Sequence, residues 1–140
     1  DVLLIGLGRF GTALAESLRD RDCRLLAVDF DPETVRNHAR RGYRVHYGDA
    51  EDPEFVGSLA LDQVQCVVNT LRDRHINRVL LHSIERSGSR PRIALTADTD
   101  EEAQALRVRG ADLALVPYSD AARDAVDHIL ATAEPAPANA

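Results

Sequence analysis

Short apolar runs alternate with amphipathic stretches along most of the chain. The runs are rich in Val, Leu and Ile, and most are apolar on both faces. Such runs are typical of strands in a parallel sheet whose two faces are both covered by helices. The pattern predicts six strands: Val2–Ile5, Arg24–Val28, Arg44–Tyr47, Cys66–Asn69, Arg92–Thr96 and Leu113–Val116.

The amphipathic stretches predict a helix after each strand. Asp31 and Asp52 are each followed by Pro, which is the usual order of an N-cap and a first helical residue. The longest stretch carries an apolar stripe over Ile76–Ile84. The predicted helices are Thr12–Arg21, one beginning at Pro32, one beginning at Pro53, Asp73–Ser87, Asp98–Arg109 and Ser119–Thr132.

Strict alternation of strand and helix favours one parallel sheet with right-handed crossovers. We expect one domain over residues 1–133, and a disordered or extended tail over the Pro- and Ala-rich residues 134–140. The chain contains no Met, even at its first position, and we therefore expect it to be a domain of a longer protein.

A glycine-rich loop follows the first predicted strand and leads into the first helix. It spans Gly6–Gly11 and reads GLGRFG. The first glycine permits a tight turn, the second lets a phosphate approach the backbone, and the third lets the helix pack closely on the strand. The amides at the helix N-terminus attract the anion. Asp29 ends the second strand, where a carboxylate can bind both ribose hydroxyls and repels a 2′-phosphate. The loop therefore predicts an adenine-nucleotide site that disfavours NADP, with a domain that has lost its nucleotide as the alternative.

Arg9 adds a positive charge to this loop. A dinucleotide enzyme usually keeps the loop neutral, because the amides already hold the pyrophosphate. A guanidinium is a fork-shaped donor that binds phosphate oxygens well, and it suits a terminal phosphate such as that of AMP. An arginine that points to solvent is the alternative.

Composition excludes several classes of function. A chain of 140 residues with 44% hydrophobic and 29% charged residues is typical of one globular domain. A net charge of −6 and few aromatic residues disfavour nucleic-acid binding. No apolar run has the length of a membrane helix. The two Cys and five His show no metal-binding spacing, so no metal site is predicted.

Several segments together resemble the TrkA-N domain, the N-terminal lobe of the RCK (or KTN) domains that regulate potassium channels and transporters. They are GLGRFG at 6–11, VDFDPE at 28–33, YGDA at 47–50 and GAD at 110–112. Two longer segments, YGDAEDPEF at 47–55 and LVPYSDAA at 115–122, are more similar to the C-terminal cytosolic domain of Kef-type monovalent cation:proton antiporters. The resemblance runs from Val2 to about Leu130.

The resemblance implies an α/β fold with a doubly wound, Rossmann-like sheet of six parallel strands in the order 3-2-1-4-5-6 and helices on both faces. It implies a regulatory domain, not an enzyme, at the cytoplasmic face of the inner membrane. This domain would bind AMP above all, with ADP, ATP or NAD(H) as alternatives, and would gate a membrane cation transporter domain of the same polypeptide as a homodimer. The residues that match the family's nucleotide site are Gly6, Leu7, Gly8, Arg9, Phe10 and Gly11 at the phosphates, Asp29, Phe30 and Asp31 at the ribose and base, and Asp49 and Ala50 at the adenine. Thr70 and Leu71 match the end of the fourth strand, which closes the pocket, and Asn77 matches an Asn that such domains often carry on the following helix.

Two other classes stay open. A fragment of an NAD-dependent oxidoreductase would share the glycine loop and Asp29, but it also needs a substrate domain and an acid–base group, for which His75 is the only remote candidate. A dimerisation module without a ligand is the other. Separately, Val79–Leu81 is wider than one packing stripe needs, which indicates homodimerisation, with core packing as the alternative, and the last helix is apolar on more than one side.

Overall fold

Six parallel strands form one sheet in the order β3-β2-β1-β4-β5-β6 in the computed structural model, which describes residues 1–133. The strands are β1 (Val2–Ile5), β2 (Leu25–Asp29), β3 (Val45–Tyr47), β4 (Cys66–Asn69), β5 (Arg92–Thr96) and β6 (Leu113–Leu115). The predicted strands, their parallel pairing and their order are confirmed. β1 pairs with both β2 and β4. Strands β2 and β3 therefore add to one side of β1 and strands β4 to β6 to the other, which makes β1 the topological switch point of the sheet. A crevice at the carboxyl ends of β1 and β4 follows from this switch.

Five helices connect the strands, and a sixth follows β6. They are α1 (Arg9–Asp20), α2 (Pro32–Arg40), α3 (Pro53–Ser58), α4 (Arg74–Ser87), α5 (Asp100–Val108) and α6 (Pro117–Thr132). The side chains of Asp31 and Asp52 accept hydrogen bonds from the amides two residues later, at 3.1 Å and 3.0 Å, which confirms both predicted N-caps. Asp73 caps α4 in the same way, and the Thr99 hydroxyl caps α5.

The first helix begins earlier than predicted. Gly8 is its N-cap, and the Gly8 carbonyl accepts a hydrogen bond from the amide of Thr12 at 2.9 Å. Arg9 is therefore the first helical residue, and not part of a loop that precedes a helix at Thr12. The second half of the glycine motif is thus the positive end of the helix dipole itself.

Alternate residues of the central strands pack on opposite faces of the sheet. Leu3 and Ile5 belong to a buried cluster with residues of α3 and α4. Leu4 packs on the other face, against Ala15 of α1 and Tyr43. The two faces are buried because each is covered by helices, which explains why the strands read as continuous apolar runs.

The apolar excess on α4 is absorbed within the fold. Val79 and Leu80 are buried in the cluster beneath α3 and α4, and Leu81 packs against a third cluster around Leu95. The helix bridges two clusters, so it needs a wider apolar face than a single stripe. Val79–Leu81 is therefore not an exposed dimerisation surface, which corrects that part of the sequence-based interpretation.

In α6, by contrast, no residue is buried. Val126, Ile129 and Leu130 are 49%, 63% and 68% exposed. None of the described helices is long and apolar enough to cross a membrane. The predicted tail at 134–140 lies outside the described residues.

Candidate nucleotide-binding site

The glycine loop is shaped by close backbone contacts. Gly6 has φ of +90°, and a Cβ there would lie 2.5 Å from Oγ1 of Thr70. A Cβ on Gly11 would collide with the backbone oxygen of Gly6. These two glycines are therefore required by packing between β1, α1 and β4. A Cβ on Gly8 would meet no protein atom within 4 Å, so this residue faces open space that a ligand can occupy.

Side chains from the two neighbouring strands hold the loop in place. Oδ2 of Asp29 accepts a hydrogen bond from the amide of Leu7 at 2.8 Å. Oγ1 of Thr70 lies 2.8 Å from the carbonyl of Ile5 and 2.9 Å from that of Gly6. Hydrogen bonds to Asp29 at the end of β2 and from Thr70 after β4 thus hold the loop from both sides and fix the amides of the first turn of α1.

Asp29 keeps acceptor capacity beyond this structural role. Its other oxygen, Oδ1, accepts a hydrogen bond from the amide of Asp31 at 2.9 Å. An ionised carboxylate has about four acceptor positions, so two remain for hydroxyl groups of a ligand. Asp29 can therefore brace the loop and bind a ribose at the same time.

A cavity of about 140 Å³ lies on one side of the loop. Three acidic side chains line it, those of Asp29, Asp49 and Glu51, together with buried apolar groups that include Ala50 and Ile76. Oδ1 of Asp49 accepts a hydrogen bond from the amide of Glu51 at 2.9 Å, which fixes the turn that carries these two acids. The predicted residues that line this cavity are Gly6, Asp29, Phe30, Asp49, Ala50 and Leu71.

A second cavity, of about 520 Å³, lies on the other side of the loop. Arg72 from the loop after β4, Thr96 at the end of β5, and residues of α6 that include Tyr118 complete its wall. Leu71 lines both cavities, so they adjoin along the carboxyl edge of the sheet. The predicted residues that line the second cavity are Gly8, Arg9, Phe10, Gly11, Thr70 and Leu71.

Charge differs between the two cavities. The first is rimmed by carboxylates, whereas the second receives the N-terminus of α1 and the exposed side chain of Arg9. Arg72 also lines the second cavity, but its guanidinium is paired with Asp98 at 2.7 Å. Arg9 is absent from the ion pairs formed within residues 1–133. The arrangement suits a ligand whose hydroxyl and amino groups donate hydrogen bonds at one end and whose other end is an anion.

Three of the predicted residues line neither cavity. Leu7 is buried and acts through its backbone groups. Asp31 caps α2 and accepts a hydrogen bond from the Thr34 hydroxyl at 2.9 Å. Asn77 is buried on α4, where its Oδ1 accepts a hydrogen bond from Nδ2 of Asn69 at 2.8 Å.

Asn69 is a site residue that the sequence patterns did not reveal. It is fully buried at the end of β4, and its side chain bonds both the amide and the carbonyl of Leu71, at 3.0 Å and 3.1 Å. Thr96, at the end of β5, donates to the Asn69 carbonyl at 2.7 Å. The available signal was a polar residue that ends an otherwise apolar buried strand. Together these groups position Leu71, the residue between the two cavities.

Within residues 1–133, no group of three or more His, Cys, Asp or Glu side chains is arranged to hold a metal ion. Cys23 and Cys66 are both free thiols.

The sheet order, the switch point at β1 and the glycine loop at the start of α1 define a Rossmann-like domain. The chain also matches the model of the TrkA-N domain over residues 2–117 and belongs to that family.

The curated relatives of the chain include potassium transport proteins. A glutathione-regulated potassium-efflux system protein of Haemophilus influenzae is 27% identical over 99 residues, which make up 70% of this chain and 16% of that protein. KefC of Cronobacter sakazakii is 24% identical over 113 residues, which make up 81% of this chain and 18% of that protein. Ktr system potassium uptake protein C of Bacillus subtilis is 25% identical over 127 residues, or 91% of this chain and 58% of that protein. The chain thus spans less than a fifth of the two efflux proteins.

Solved structures share the fold. The NAD(P)-binding domain of an exopolyphosphatase-related protein from Archaeoglobus fulgidus aligns with a TM-score of 0.80 at 24% identity, over 94% of this chain and 98% of that one. The Kef CTD of Shewanella denitrificans, in AMP-bound form, aligns with a TM-score of 0.73 at 20% identity, over 96% and 82%. The GsuK channel bound to NAD aligns with a TM-score of 0.69 at 20% identity, over 81% and 21%.

Proposed function

We propose that this domain binds an adenine nucleotide, with AMP preferred, and that binding regulates a potassium or other monovalent cation transport protein of which the domain is part. The observation that carries the proposal is the pair of adjoining cavities on either side of the glycine loop. One is small and rimmed by carboxylates, and the other faces the positive end of α1 and Arg9.

In the proposed complex the adenosine lies in the first cavity. The adenine packs beside Phe30 and Ala50, and Asp49 accepts a hydrogen bond from its amino group. The ribose hydroxyls donate to the free acceptor positions of Asp29. The phosphate then reaches the amides that follow Gly8, where the dipole of α1 favours an anion.

The same charges select among nucleotides. A 2′-phosphate would lie beside Asp29 and the other two acids of the first cavity, so we expect NADP to bind weakly. Arg9 favours ligands that end in a phosphate, and the AMP-bound Kef CTD is a neighbour with such a ligand. NAD is the alternative, since the second cavity has room beside the glycine loop and the GsuK channel is described as bound to NAD.

Regulation requires that the nucleotide favour one of two arrangements of the domain. We infer that the exposed apolar side of α6, with Ile129 and Leu130, packs against a second copy or against the transporter, because isolated apolar surface of this kind is unfavourable in water. The second cavity includes Tyr118 and Ala121 of α6, so a ligand there contacts the helix that would carry the signal. The proposed role is regulatory and not catalytic, at the cytoplasmic face of the membrane.

Calorimetric titration of the chain with AMP and with adenosine tests the binding mode. Arg9→Ala should weaken AMP binding by at least about fivefold, because a charge-assisted phosphate contact is lost. Adenosine binding should stay the same, since it lacks the phosphate. Arg21→Ala, at the opposite end of α1, is the matched control and should change neither affinity. Equal losses for AMP and adenosine would remove Arg9 from the phosphate site, and no binding of either ligand by the unaltered chain would refute the proposed function.

A further inference from the structure

His38 forms a buried polar link between α2 and the glycine loop. Only 8% of its surface is exposed, and its Nδ1 lies 2.8 Å from the carbonyl oxygen of Thr34. Its Nε2 lies 3.0 Å from Oγ1 of Thr12 on α1. The same hydroxyl lies 3.1 Å from the carbonyl oxygen of Leu7. A continuous chain of polar contacts therefore runs from α2 to the residue that precedes Gly8.

The number of protons available for these polar contacts depends on the charge of the imidazole. A carbonyl oxygen only accepts, so the contact with Thr34 places a proton on Nδ1. In the neutral ring, Nε2 is then an acceptor, and the single hydroxyl proton of Thr12 can serve either Nε2 or the Leu7 carbonyl. One of these two contacts then lacks a proton. In the imidazolium, Nε2 donates to Thr12, the hydroxyl donates to Leu7, and all three contacts become hydrogen bonds.

The Leu7 carbonyl matters because it shares a peptide plane with the amide of Gly8. In a trans peptide the C=O and N–H groups point in opposite directions, and residues 1–133 contain no cis peptide bond. A hydrogen bond from Thr12 to the Leu7 carbonyl therefore orients the Gly8 amide away from α2. The amide of Leu7 is already held by Asp29 at 2.8 Å. The proton on His38 thus completes the restraint on the peptide next to the proposed phosphate site.

The other charged groups around His38 largely balance or lie in solvent. The Tyr43 ring lies 5.8 Å from the imidazole, and the guanidinium groups of Arg19 and Arg41 lie 3.8 Å and 5.6 Å from the centre of that ring. Arg41, which follows α2, is bonded to Glu16 of α1 at 2.6 Å, and this hydrogen bond raises the pKa of Arg41. Glu16 and Arg41 therefore form a neutral pair. The charge of exposed Arg19 is screened by water and salt, so the count of hydrogen bonds decides the effect.

We propose that His38 is a positioning residue whose protonation strengthens nucleotide binding through Thr12 and the Leu7–Gly8 peptide. This inference rests on the proposed function. By linkage, a ligand that needs the restrained peptide binds the protonated form more tightly, so the affinity rises as the pH falls. One net hydrogen bond corresponds to roughly a two- to tenfold change in an equilibrium constant.

The test compares the affinity for AMP at about pH 6 and about pH 8, a range in which histidine titrates. For each variant, the pH ratio is the affinity for AMP at the lower pH divided by that at the higher pH. The ionisation of the AMP phosphate also affects these affinities, but it is common to every variant and cancels when the pH ratios of the variants are compared. The unaltered chain should show a pH ratio about two- to tenfold larger than Thr12→Val or His38→Gln does. Thr12→Ser keeps the hydroxyl and should retain the full ratio. His82→Gln, at an exposed histidine of α4, is the matched control and should also retain it.

A second measurement does not depend on the stability of the variants. In the unaltered chain, the imidazole resonances of His38 followed by NMR should titrate at a higher pH when AMP is bound. If AMP does not bind at all, the proposed function fails and this inference fails with it. If AMP binds but the pH ratio is the same in the unaltered chain, Thr12→Val and His38→Gln, the proposed function stands and the role of His38 is refuted. An unchanged His38 titration in the complex would refute it as well.

Discussion

Two glycines of the same loop should respond to alanine in opposite ways. A methyl group on Gly11 would collide with the backbone oxygen of Gly6, so α1 and β1 would have to move apart. A methyl group on Gly8 would meet no protein atom within 4 Å, and the φ of Gly8, −72°, is open to any residue. Gly11→Ala should therefore damage the fold, and Gly8→Ala should leave it intact.

The magnitudes follow from these contacts. Overpacking in a core costs about 1–3 kcal/mol, and the Gly11 clash belongs at the upper end because the partner is backbone and cannot rotate away. We expect Gly11→Ala to lower the free energy of unfolding by about 2–3 kcal/mol. Gly8→Ala should change it by less than about 1 kcal/mol, since Gly is only a modest N-cap. Its methyl group would instead occupy space beside the proposed phosphate and weaken AMP binding at least about tenfold.

Urea denaturation and calorimetric titration of the two variants measure both quantities. The reasoning would be refuted if Gly8→Ala lost as much stability as Gly11→Ala. It would also be refuted if Gly8→Ala were stable and bound AMP with the affinity of the unaltered chain, because then no phosphate lies against that residue.

Three further predictions concern the strand ends and one thiol. Asn69→Leu should lower the free energy of unfolding in urea by about 2–3 kcal/mol, because the amide and carbonyl of Leu71 and Oδ1 of Asn77 lose a buried partner; a loss below about 0.5 kcal/mol would contradict this network. In Asp29→Asn only one side-chain oxygen can accept a hydrogen bond, so the free energy of unfolding should fall by about 1 kcal/mol in the same assay. The loss of the negative charge should also narrow the difference in affinity between NAD and NADP; an unchanged difference would place the ribose elsewhere. Burial raises the pKa of the Cys66 thiol, so at neutral pH less of it is thiolate and iodoacetamide should modify it more slowly than N-acetylcysteine; an equal rate would contradict this expectation.

Much of the fold follows from local patterns in the sequence. The strands are buried on both faces, so their apolar runs mark them closely, and Asp-Pro pairs mark the starts of α2 and α3. The glycine motif places the switch point beside β1. The helix that follows begins at Arg9, whereas the sequence predicted Thr12. Its N-cap is Gly8, which has no side-chain acceptor, so the start of the helix leaves little trace in the sequence.

The side-chain contacts between packed elements could not be read from local patterns. Asn69 and Asn77 meet only because β4 and α4 are packed together, and either residue alone looks like an ordinary polar position. Likewise, Val79–Leu81 exceeds one packing stripe because α4 serves two clusters, which depends on the position of α5. Spacing indicated the residues of the loop and Asp29, and the family resemblance indicated Asp49 and Ala50 of the first cavity. The restraints that hold the loop come from the ends of neighbouring strands.

The most direct test of the proposed site is the amide NMR spectrum of the chain with and without AMP. The proposal predicts that the largest shifts fall on two groups, Gly8–Gly11 beside the phosphate and Asp49–Glu51 beside the adenine, while residues 59–65 at the opposite edge of the sheet stay unchanged. Shifts confined to the first group would support the phosphate site but contradict the placement of the adenosine in the first cavity. Shifts concentrated away from both groups, or none at saturating AMP, would contradict the central claim.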